Sequence, residues 1–528
     1  MTNTIADFEK ADVILVTGSN TTENHPVLST YIKRAVKFNG TKLIVVDPRR
    51  IKMADHAHKY LIPHLGTDVV WINGMMHVII KENLHDKAYI EERTENFAAL
   101  AAAVERFTPE YVEEITGIAA DDIVEIARMY AGAERGSIAY CMGITQHTTG
   151  TDGVMSLANL AMLCGNMGIE GGGVNPLRGQ NNVQGSCDMG GLPNVYPGYQ
   201  KVTDETVVAK MERAWGVTGL SKKVGLKNTE MIPLALEGKI RALYILGENP
   251  MISDPDANHT KKCFEALDFL VVQDLFLNDT AKLADVVLPT KCFAEKEGTF
   301  TNTERKIQRV HKVVEAPATV RDDWEITCEI ARRMGYDMRY ENAAQIMEEI
   351  ASVTPSYGGI SYDRLERGEQ LHWPCLDREH AGTPILHAKT FARGKGAFQA
   401  IDFREPAERV DAEYPLYLTT GRVLYQYHSC TMTDKTDDIN QVSGECFIEM
   451  TPRDAHRMGV ENGAMAKVAS RRGEIEARVR VTHRISRGNV FLPFHFSAAA
   501  ANKLTIAALD PAAKIPEYKV CAVKVIPA

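Results

Sequence analysis

Short apolar runs alternate with amphipathic stretches along the first half of the chain. DVILVT at residues 12–17 predicts a buried strand, residues 25–39 predict a helix, and KLIVVD predicts a second strand ending at Asp47. Such runs, separated by turn residues and a helix, are typical of a parallel α/β sheet. The same order recurs in RALYILG, a helix around 259–266, and FLVVQD, which ends at Asp274. The pattern therefore predicts two related α/β units.

The rest of the chain has a different pattern. Residues 85–135 predict helices, among them TPEYVEEITG with its Thr-Pro start and Gly end, then SIAYCMG predicts a strand and residues 152–168 a buried helix. Later the pattern changes to short strands, with TPRDAHRMGV as a brief helix and AMAKVASRRGEIEARVRV as a hairpin. We therefore expect a mixed α/β fold with a small β-barrel over residues 406–528.

Five polar loops interrupt these elements, mostly where a strand ends. They are GSNTTENHP (18–26), MGITQ (142–146), RGQNNVQG (178–185), GENP (247–250) and TTGRVLYQYH (419–428). Glycine lets backbone approach a ligand, Asn and Gln recognise donor and acceptor patterns on a heterocycle, and Arg suits an oxyanion. Any one of these loops could equally be a simple turn, but five of them favour one large polar cofactor.

Individual residues leave alternatives open. Asp47 and Asp274 each close the second strand of a unit, where an acidic side chain can bond a ribose hydroxyl or act only as a turn residue. Neither unit carries G-x-G-x-x-G. His147, His428 and His495 lie in loops or at strand ends, where a histidine with one satisfied partner is the simpler explanation than a functional one.

Composition excludes several classes of function. The net charge of −9 argues against nucleic acid or an anionic membrane as a partner. No apolar run approaches the roughly 20 residues that span a bilayer, and the N-terminus lacks the features of a signal peptide. The ten cysteines include no C-x-x-C, which predicts buried thiols in a reducing cytoplasm. No nucleophile elbow or P-loop supports hydrolysis or phosphoryl transfer.

Several motifs together resemble a known family. RGQNNVQG, MGITQ, GENP, ADVVLP, EGTFTNTER and the closing PEYKVCAV closely resemble the molybdenum and tungsten bis-pterin oxidoreductases. Within that family, RGQNNVQG and KIPEYK resemble the catalytic subunits of formate dehydrogenases, and the resemblance runs from Ile5 to the C-terminus. ADVVLP and EGTFTN are shared more widely, including with nitrate reductases and a respiratory complex I subunit.

The resemblance implies a fold and a cofactor. It implies Rossmann-like parallel α/β domains, a C-terminal barrel of the double-psi type, and a bis-molybdopterin guanine dinucleotide cofactor with Mo or W. Residues 1–180 would bind one dinucleotide and residues 181–292, a partial second α/β domain, would bind the other. Residues 293–405 would be a mixed helical and loop segment completing the N-terminal domain, and residues 406–528 would cap the cofactor.

By motif match, the resemblance also implies three groups of cofactor-binding residues. One dinucleotide would be held by Asn20, Asp47, Arg49, Gly66 and Asp68. The guanosine end of the other would be held by Gly247, Asn249, Ser253, Gln273, Asp274, Thr290 and Asp323. The pterins and diphosphates would be lined by Met142, Gly143, Gln146, Gly421, Arg422, His428, Asn502, Tyr518 and Lys519.

Arg178 matches the active-site arginine of formate dehydrogenases, which faces the metal and can pair with a carboxylate. The resemblance implies that Arg178 orients formate for oxidation to CO2 by a charge-assisted pair. The electrons would leave through an iron–sulfur centre, and Gln180 to Gln184 would form a wall between the substrate pocket and the pterin.

The chain also departs from the family. Upstream of the first strand, family members carry a cysteine cluster for a [4Fe–4S] centre, a relay lysine, and a Cys or selenocysteine metal ligand followed by His. None is present here, so we expect no metal ligand in this chain and a truncated enzyme, inactive alone. A selenocysteine UGA codon read as a stop would explain the truncation; a genuinely split enzyme is the alternative. The absent block would pack beside residues 181–400, leaving apolar surface exposed and solubility poor.

Two other functions stay open at this point. One is a different oxidoreductase of the same family, such as a nitrate reductase, which RGQNNVQG and its arginine disfavour. The other is a non-catalytic cofactor-binding or structural subunit. The expected partners are formate or CO2 as substrate and either an iron–sulfur subunit or the missing N-terminal part.

Overall fold

The computed structural model describes residues 1–528, which separate into two units. The first unit contains Met1–Leu177, Pro250–Lys261 and Ile385–Ala528, and the second contains Arg178–Asn249 and Lys262–Pro384. The predicted division into four sequence segments, three of which have cofactor roles, stays a prediction.

A five-stranded parallel sheet forms the centre of the first unit. Its strands, in spatial order, are Lys59–Leu61, Lys42–Val46, Val13–Thr17, Gly136–Tyr140 and Val174–Pro176. Alternate side chains of the strands pack into two apolar clusters, Leu15 with Ile44 in one and Ile14 with Leu43 in the other. Because both faces are buried, the strands are continuous apolar runs, and the predicted first α/β unit is confirmed.

The helices of the first unit also follow local sequence signals. They are Thr21–Asn24, Pro26–Phe38, Asp68–Lys81, Lys87–Arg93, Phe97–Val104, Pro109–Thr116, Ala120–Ala131, Met142–Thr145, Gly150–Leu163, Pro250–Ser253, Asp437–Ser443 and Pro452–Met458. Thr108 accepts a hydrogen bond from the Tyr111 N–H at the start of one of them, and Gly117, with φ of 74°, ends it. None of the helices is long and apolar enough to cross a membrane.

A closed six-stranded barrel occupies the C-terminal part of the first unit. Around the barrel the strands are Leu416–Gly421, Asn489–Pro493, Phe447–Met450, Glu474–Val481, Met465–Ala469 and Cys521–Pro527. The predicted hairpin is the antiparallel pair Met465–Ala469 and Glu474–Val481. The expected fold class, parallel α/β with a C-terminal barrel, is therefore confirmed.

The second unit contains both strands of the second predicted strand–helix–strand pattern. Three of its strands, Ala242–Leu246, Phe269–Asp274 and Val286–Pro289, form one parallel sheet. Two short antiparallel pairs are also present: Gly298–Thr301 pairs with Ile307–Val310, and Val195–Tyr196 pairs with Gln200–Lys201. Its helices are Val183–Asp188, Glu205–Trp215, Asn228–Met231, Asp323–Arg333, Ala343–Val353 and Tyr362–Glu366; a further helix, Ala257–Glu265, follows the first strand of the parallel sheet.

The three-stranded sheet of the second unit exposes apolar side chains. Tyr244, Leu246, Phe269, Val286 and Val287 are between 37% and 47% exposed. This differs from the first sheet, whose central strands are buried on both faces. The sequence analysis predicts exposed apolar surface within residues 181–400, and the poor solubility that would follow from it stays a prediction.

Candidate functional site

Two loops of the first unit meet where adjacent strands end. The Gly143 N–H donates to the Gly18 carbonyl over 2.9 Å. A Cβ on Gly18 would lie 2.6 Å from the Ile144 nitrogen, and one on Gly143 would lie 2.5 Å from the Gly18 Cα. Only glycine permits this approach, which places Asn20 at the carboxyl edge of the sheet, where α/β proteins bind ligands.

Asn20 is the clearest sign of a ligand at this edge. Both polar atoms of its amide are buried and have no hydrogen-bond partner within the protein. Leaving buried donors and acceptors unpaired is costly, so such groups are typical of ligand sites. A ligand with both donors and acceptors, as a pterin or a guanine has, would satisfy this amide.

A buried lysine lies in the same unit. Lys519 donates its ammonium group to the Thr420 carbonyl over 2.7 Å. Burial lowers the pKa of Lys519 to about 8, and burial raises the pKa of Asp47 to about 6. An ammonium has three N–H donors, so this site suits an anion such as a diphosphate in addition to Thr420.

Glu517 and His147 form a buried ion pair, and the sequence pattern does not indicate that these two residues are partners. The His147 Nδ1 lies 3.0 Å from the Glu517 Oε1, and Thr148 donates its N–H to the Glu517 Oε2 over 3.0 Å. Burial by itself would lower the pKa of His147, but the Glu517 carboxylate, with Asp68, raises it to about 9. The pair therefore fixes the MGITQ loop against the PEYK segment, and Tyr518 donates its N–H to the Gln146 carbonyl over 3.2 Å.

This pair predicts a pH dependence of stability. A histidine whose pKa is raised on folding stabilises the folded state fully below its unfolded pKa of about 6.5 and loses that contribution as pH rises through its folded pKa. We expect the stability advantage of the wild type over His147→Gln to be largest below pH 6.5 and to fall as the pH rises from 6.5 through about 9. Unfolding midpoints from pH 5.5 to 9.5 test this, and a constant difference would contradict it.

Other predicted pterin-lining residues gather around one backbone segment. The Ser253 carbonyl accepts hydrogen bonds from Asn502 Nδ2 over 3.0 Å and from the Tyr518 hydroxyl over 2.8 Å. The motif match groups Ser253 with residues of the second unit, but Ser253 lies in the first unit and contacts residues of the first unit. Asn502 also donates to the Ile252 carbonyl over 2.8 Å.

Three of the predicted residues, Gly421, Arg422 and His428, lie at the end of the barrel strand Leu416–Gly421 or shortly after it. Gly421 ends a barrel strand, where a Cβ would lie 2.7 Å from the Phe491 ring. Burial lowers the pKa of the Arg422 guanidinium, and burial also lowers the pKa of His428 to about 3. His495 accepts from the Val423 N–H through Nε2 over 2.9 Å and donates through Nδ1 to the His428 carbonyl, so its tautomer is fixed.

The other residues predicted to bind the first dinucleotide, and Met142 beside them, lie in different environments. Arg49 forms a bidentate pair with Glu449, at 2.7 and 2.9 Å, so its guanidinium is engaged within the protein. Gly66 has φ of 76°, and a Cβ there would contact Pro406. Burial raises the pKa of Asp68, and Met142 begins the short helix that contains Gly143.

In the second unit, three predicted guanosine-binding residues form one cluster. The Asp323 Oδ1 accepts from Gln273 Nε2 over 2.7 Å and from the Thr290 hydroxyl over 2.8 Å. Lys296, which the sequence analysis missed, pairs with the other carboxylate oxygen of Asp323. Burial would raise the pKa of Asp323, but Lys296 and the two hydrogen bonds hold it below its usual value.

Gly247, Asn249 and Asp274 complete the predicted set in the second unit. The Gly247 N–H donates to the Gln273 carbonyl over 2.9 Å, and a Cβ at Gly247 would meet open space. Asn249 accepts from the Thr280 hydroxyl over 2.9 Å, and Asn278 donates to Asp274 over 2.8 Å. Gly247 and Asp274 thus lie at the carboxyl ends of two paired parallel strands, the position expected for a ligand site.

Arg178 is held by two of the sequence motifs in the second unit. The backbone N–H of Arg178 donates to the Thr303 hydroxyl of EGTFTNTER over 3.0 Å. The side-chain Nε of Arg178 donates to Gln184 Oε1 over 3.1 Å. No group of three or more His, Cys, Asp or Glu side chains is placed to hold a metal ion. The Arg178 guanidinium and its amide neighbour Gln184 are groups suited to recognising polar and anionic ligands.

Comparisons with known proteins identify the family. The family described as "Molybdopterin oxidoreductase" matches residues 1–333, and "Molydopterin dinucleotide binding domain" matches residues 416–522. The F420-dependent formate dehydrogenase subunit alpha of Methanocaldococcus jannaschii is 52% identical over 99% of this chain and 78% of its own length. Formate dehydrogenase H of Escherichia coli is 40% identical over 100% of this chain and 74% of its own length.

A solved structure agrees on the fold. Acetylene hydratase from Pelobacter acetylenicus has a TM-score of 0.78 at 21% identity, covering 100% of this chain and 79% of the other. The two family matches, and the relative that aligns over 99% of this chain, thus confirm the expected family and its dinucleotide cofactor. This chain belongs to the molybdopterin oxidoreductase family.

Proposed function

We propose that this chain is the catalytic part of a formate dehydrogenase, which converts formate to CO2, one proton and two electrons. The relatives named as formate dehydrogenases support this proposal, at 52% and 40% identity over nearly the whole chain. The observation that carries it is Arg178, whose guanidinium is held by Gln184 on the RGQNNVQG loop. A fixed guanidinium suits a planar carboxylate such as formate.

The residues present fit the dinucleotide cofactor. Asn20 offers an unpaired buried amide, Lys519 offers a buried ammonium, and Gly18 with Gly143 leaves the backbone close to the sheet edge. When bound, the molybdenum cofactor supplies the two-electron redox chemistry. The side chains of this protein bind it, bury it and hold the substrate in place.

Arg178 acts in this proposal by positioning and not by proton transfer. An arginine side chain stays protonated in proteins, so it serves as a hydrogen-bond donor and a positive charge. Pairing it with formate orients the C–H bond and favours the anionic substrate over neutral competitors. We propose that an iron–sulfur protein working with this chain receives the electrons. The chain spans 78% and 74% of the lengths of the two relatives described above.

We also propose a cytoplasmic location. All ten cysteines are free thiols, six of them buried, as is usual for a reducing compartment. Burial raises the pKa of Cys521 and of Cys446 to about 12, so these thiols are unreactive.

The test is an assay of the holoenzyme that contains this chain, produced in a host that makes the molybdenum cofactor. We expect formate-dependent reduction of a viologen dye, release of CO2, and no reduction of nitrate. Nitrate reduction without formate oxidation would favour the nitrate-reductase alternative. A purified protein with neither molybdenum nor guanine nucleotide would favour a structural subunit.

A further inference from the structure

Asp188 is a completely buried carboxylate in the second unit, and none of the roles described above uses it. It ends the helix Val183–Asp188 and is 0% exposed. Its oxygens accept hydrogen bonds from Gln184 Nε2 over 2.7 Å, from the Tyr199 hydroxyl over 2.8 Å, and from the Tyr357 hydroxyl over 2.6 Å. A buried carboxylate needs such donors, so Asp188 imposes an orientation on each of these three side chains.

The orientation of the Gln184 amide follows from this arrangement. Gln184 Nε2 donates to Asp188 and lies 3.1 Å from the Tyr199 oxygen, so both of its N–H groups face partners on that side. Gln184 Oε1 therefore faces the other way and accepts from Arg178 Nε over 3.1 Å. A reversed amide would place an NH2 group against the Nε–H of Arg178 and lose both interactions.

Both phenols remain donors over the working range of pH. Burial raises the pKa of Tyr199 and of Tyr357, and the charge of Asp188 raises each further. The donors around Asp188 therefore do not ionise, and the direction of every hydrogen bond up to Arg178 is fixed.

The EGTFTNTER segment also contacts this network. Thr301 lies 3.0 Å from the Tyr357 hydroxyl and donates its N–H to Asn182 Oδ1 over 2.9 Å. Asn182 adopts φ of 57° at the start of the helix that carries Gln184. The segment thus fixes the loop backbone, and Asp188 fixes the side chain.

We propose that Gln184, oriented by Asp188, is a positioning residue that sets the plane of the Arg178 guanidinium toward a carboxylate substrate. This inference rests on the proposed role of Arg178 and deepens it. Because Nε lies in the guanidinium plane, the direction of its hydrogen bond determines where the terminal nitrogens point. Gln184, 4% exposed and turned toward Asp188, acts as a support behind Arg178 and not as part of the expected pocket wall.

Gln184→Met in the holoenzyme tests this role because it preserves side-chain length and removes both the acceptor and the donors. We expect KM for formate to rise about 10- to 100-fold with a smaller change in kcat, since binding geometry and not the chemical step is disturbed. Gln200→Met is the matched control. Gln200 donates to the Pro197 and Val353 carbonyls and has no bond to Arg178, so the KM of this variant for formate should equal that of the wild type. An unchanged KM in Gln184→Met would overturn the proposal.

Tyr199→Phe is a second, milder variant, because Tyr199 is 39% exposed and its loss is easier to accommodate. It removes one donor to Asp188 and one acceptor for Gln184. The KM for formate should therefore rise, as it does in Gln184→Met, but by less. In an Arg178→Ala background, Gln184→Met should raise the KM for formate little further, because the effects of two residues that act through one another are not additive. Additive losses would show that Gln184 acts by another route and would overturn the proposal.

A crystal structure of the Gln184→Met holoenzyme gives a readout that does not depend on activity. We expect the Arg178 guanidinium to be rotated or poorly ordered, while the Asp188 carboxylate keeps its bonds to the two tyrosines. A guanidinium in its original plane would overturn the inference. Failure of the wild type to oxidise formate would instead refute the proposed function, and the guanidinium orientation would still test the network.

Discussion

Replacing Arg178 with alanine should lower kcat/KM for formate by roughly 100- to 1000-fold in the holoenzyme, because a charge-assisted pair with the substrate is lost. Most of the loss should be in KM, since the carboxylate is bound in the ground state as well as in the transition state. The cofactor-binding residues do not include Arg178, so the content of molybdenum and guanine nucleotide should stay at the wild-type level. Steady-state kinetics and cofactor analysis on the same preparation measure both.

Two further substitutions make this prediction specific. Arg178→Lys keeps the positive charge but replaces the planar guanidinium by an ammonium group, which cannot form a bidentate pair. We therefore expect its kcat/KM for formate to lie between the values of the wild type and Arg178→Ala. Arg213→Ala removes an exposed arginine of the helix Glu205–Trp215 in the same unit and should have no effect. Wild-type kinetics in Arg178→Ala would show that this guanidinium does not bind the substrate.

Much of the fold could be predicted because its signals are local. The buried strands are continuous apolar runs, and the helix Pro452–Met458 begins at Thr451, whose hydroxyl accepts from the Asp454 N–H, and ends at Gly459 with φ of 68°. The hairpin of the barrel alternates buried and exposed residues along Glu474–Val481. Each of these features depends on residues within a few positions of one another.

The side-chain partners could not be predicted in the same way, because they join distant parts of the sequence. Glu517 lies within the recognised PEYK motif, yet nothing local indicates that its partner is His147. Asp188 is separated from Tyr357 by 169 positions. Such pairs depend on how the elements pack, which periodicity and motif spacing do not encode. The predicted binding roles of the individual residues therefore stay predictions.

Arg49 shows how a motif match and a contact can suggest different roles. The match places it among the dinucleotide-binding residues, while the structure pairs it with Glu449 of the barrel and stacks it 3.9 Å from the centre of the Phe491 ring. Both charged side chains are about 5–6% exposed. A buried pair of this kind connects the parallel sheet to the barrel within the first unit, whether or not the arginine also touches the cofactor.

Glu449→Gln should destabilise the first unit by about 3–5 kcal/mol, because it leaves the buried Arg49 guanidinium without a carboxylate. Arg484, 3.5 Å from Glu449, would keep its contact with Glu23 but lose one of its two carboxylate neighbours, which increases the repulsion between the two arginines. The free energy of unfolding in urea measures the loss. The matched control is Glu82→Gln, which breaks the equally short but exposed pair with Arg128 and should change stability little.

The double variant Arg49→Met with Glu449→Leu separates the two possible roles of Arg49. Replacing both charges by apolar side chains removes the unpaired charge and its desolvation cost, so most of the lost stability should return, with Met packing on Phe491. If the restored protein also retains its guanine nucleotide, the Arg49 side chain serves the fold and is not needed to bind the cofactor. If stability returns while nucleotide content falls, the guanidinium is a cofactor ligand that Glu449 holds in place. Because Asn20 and Lys519 remain unchanged in this variant, a fall in nucleotide content could be attributed to the Arg49 site alone.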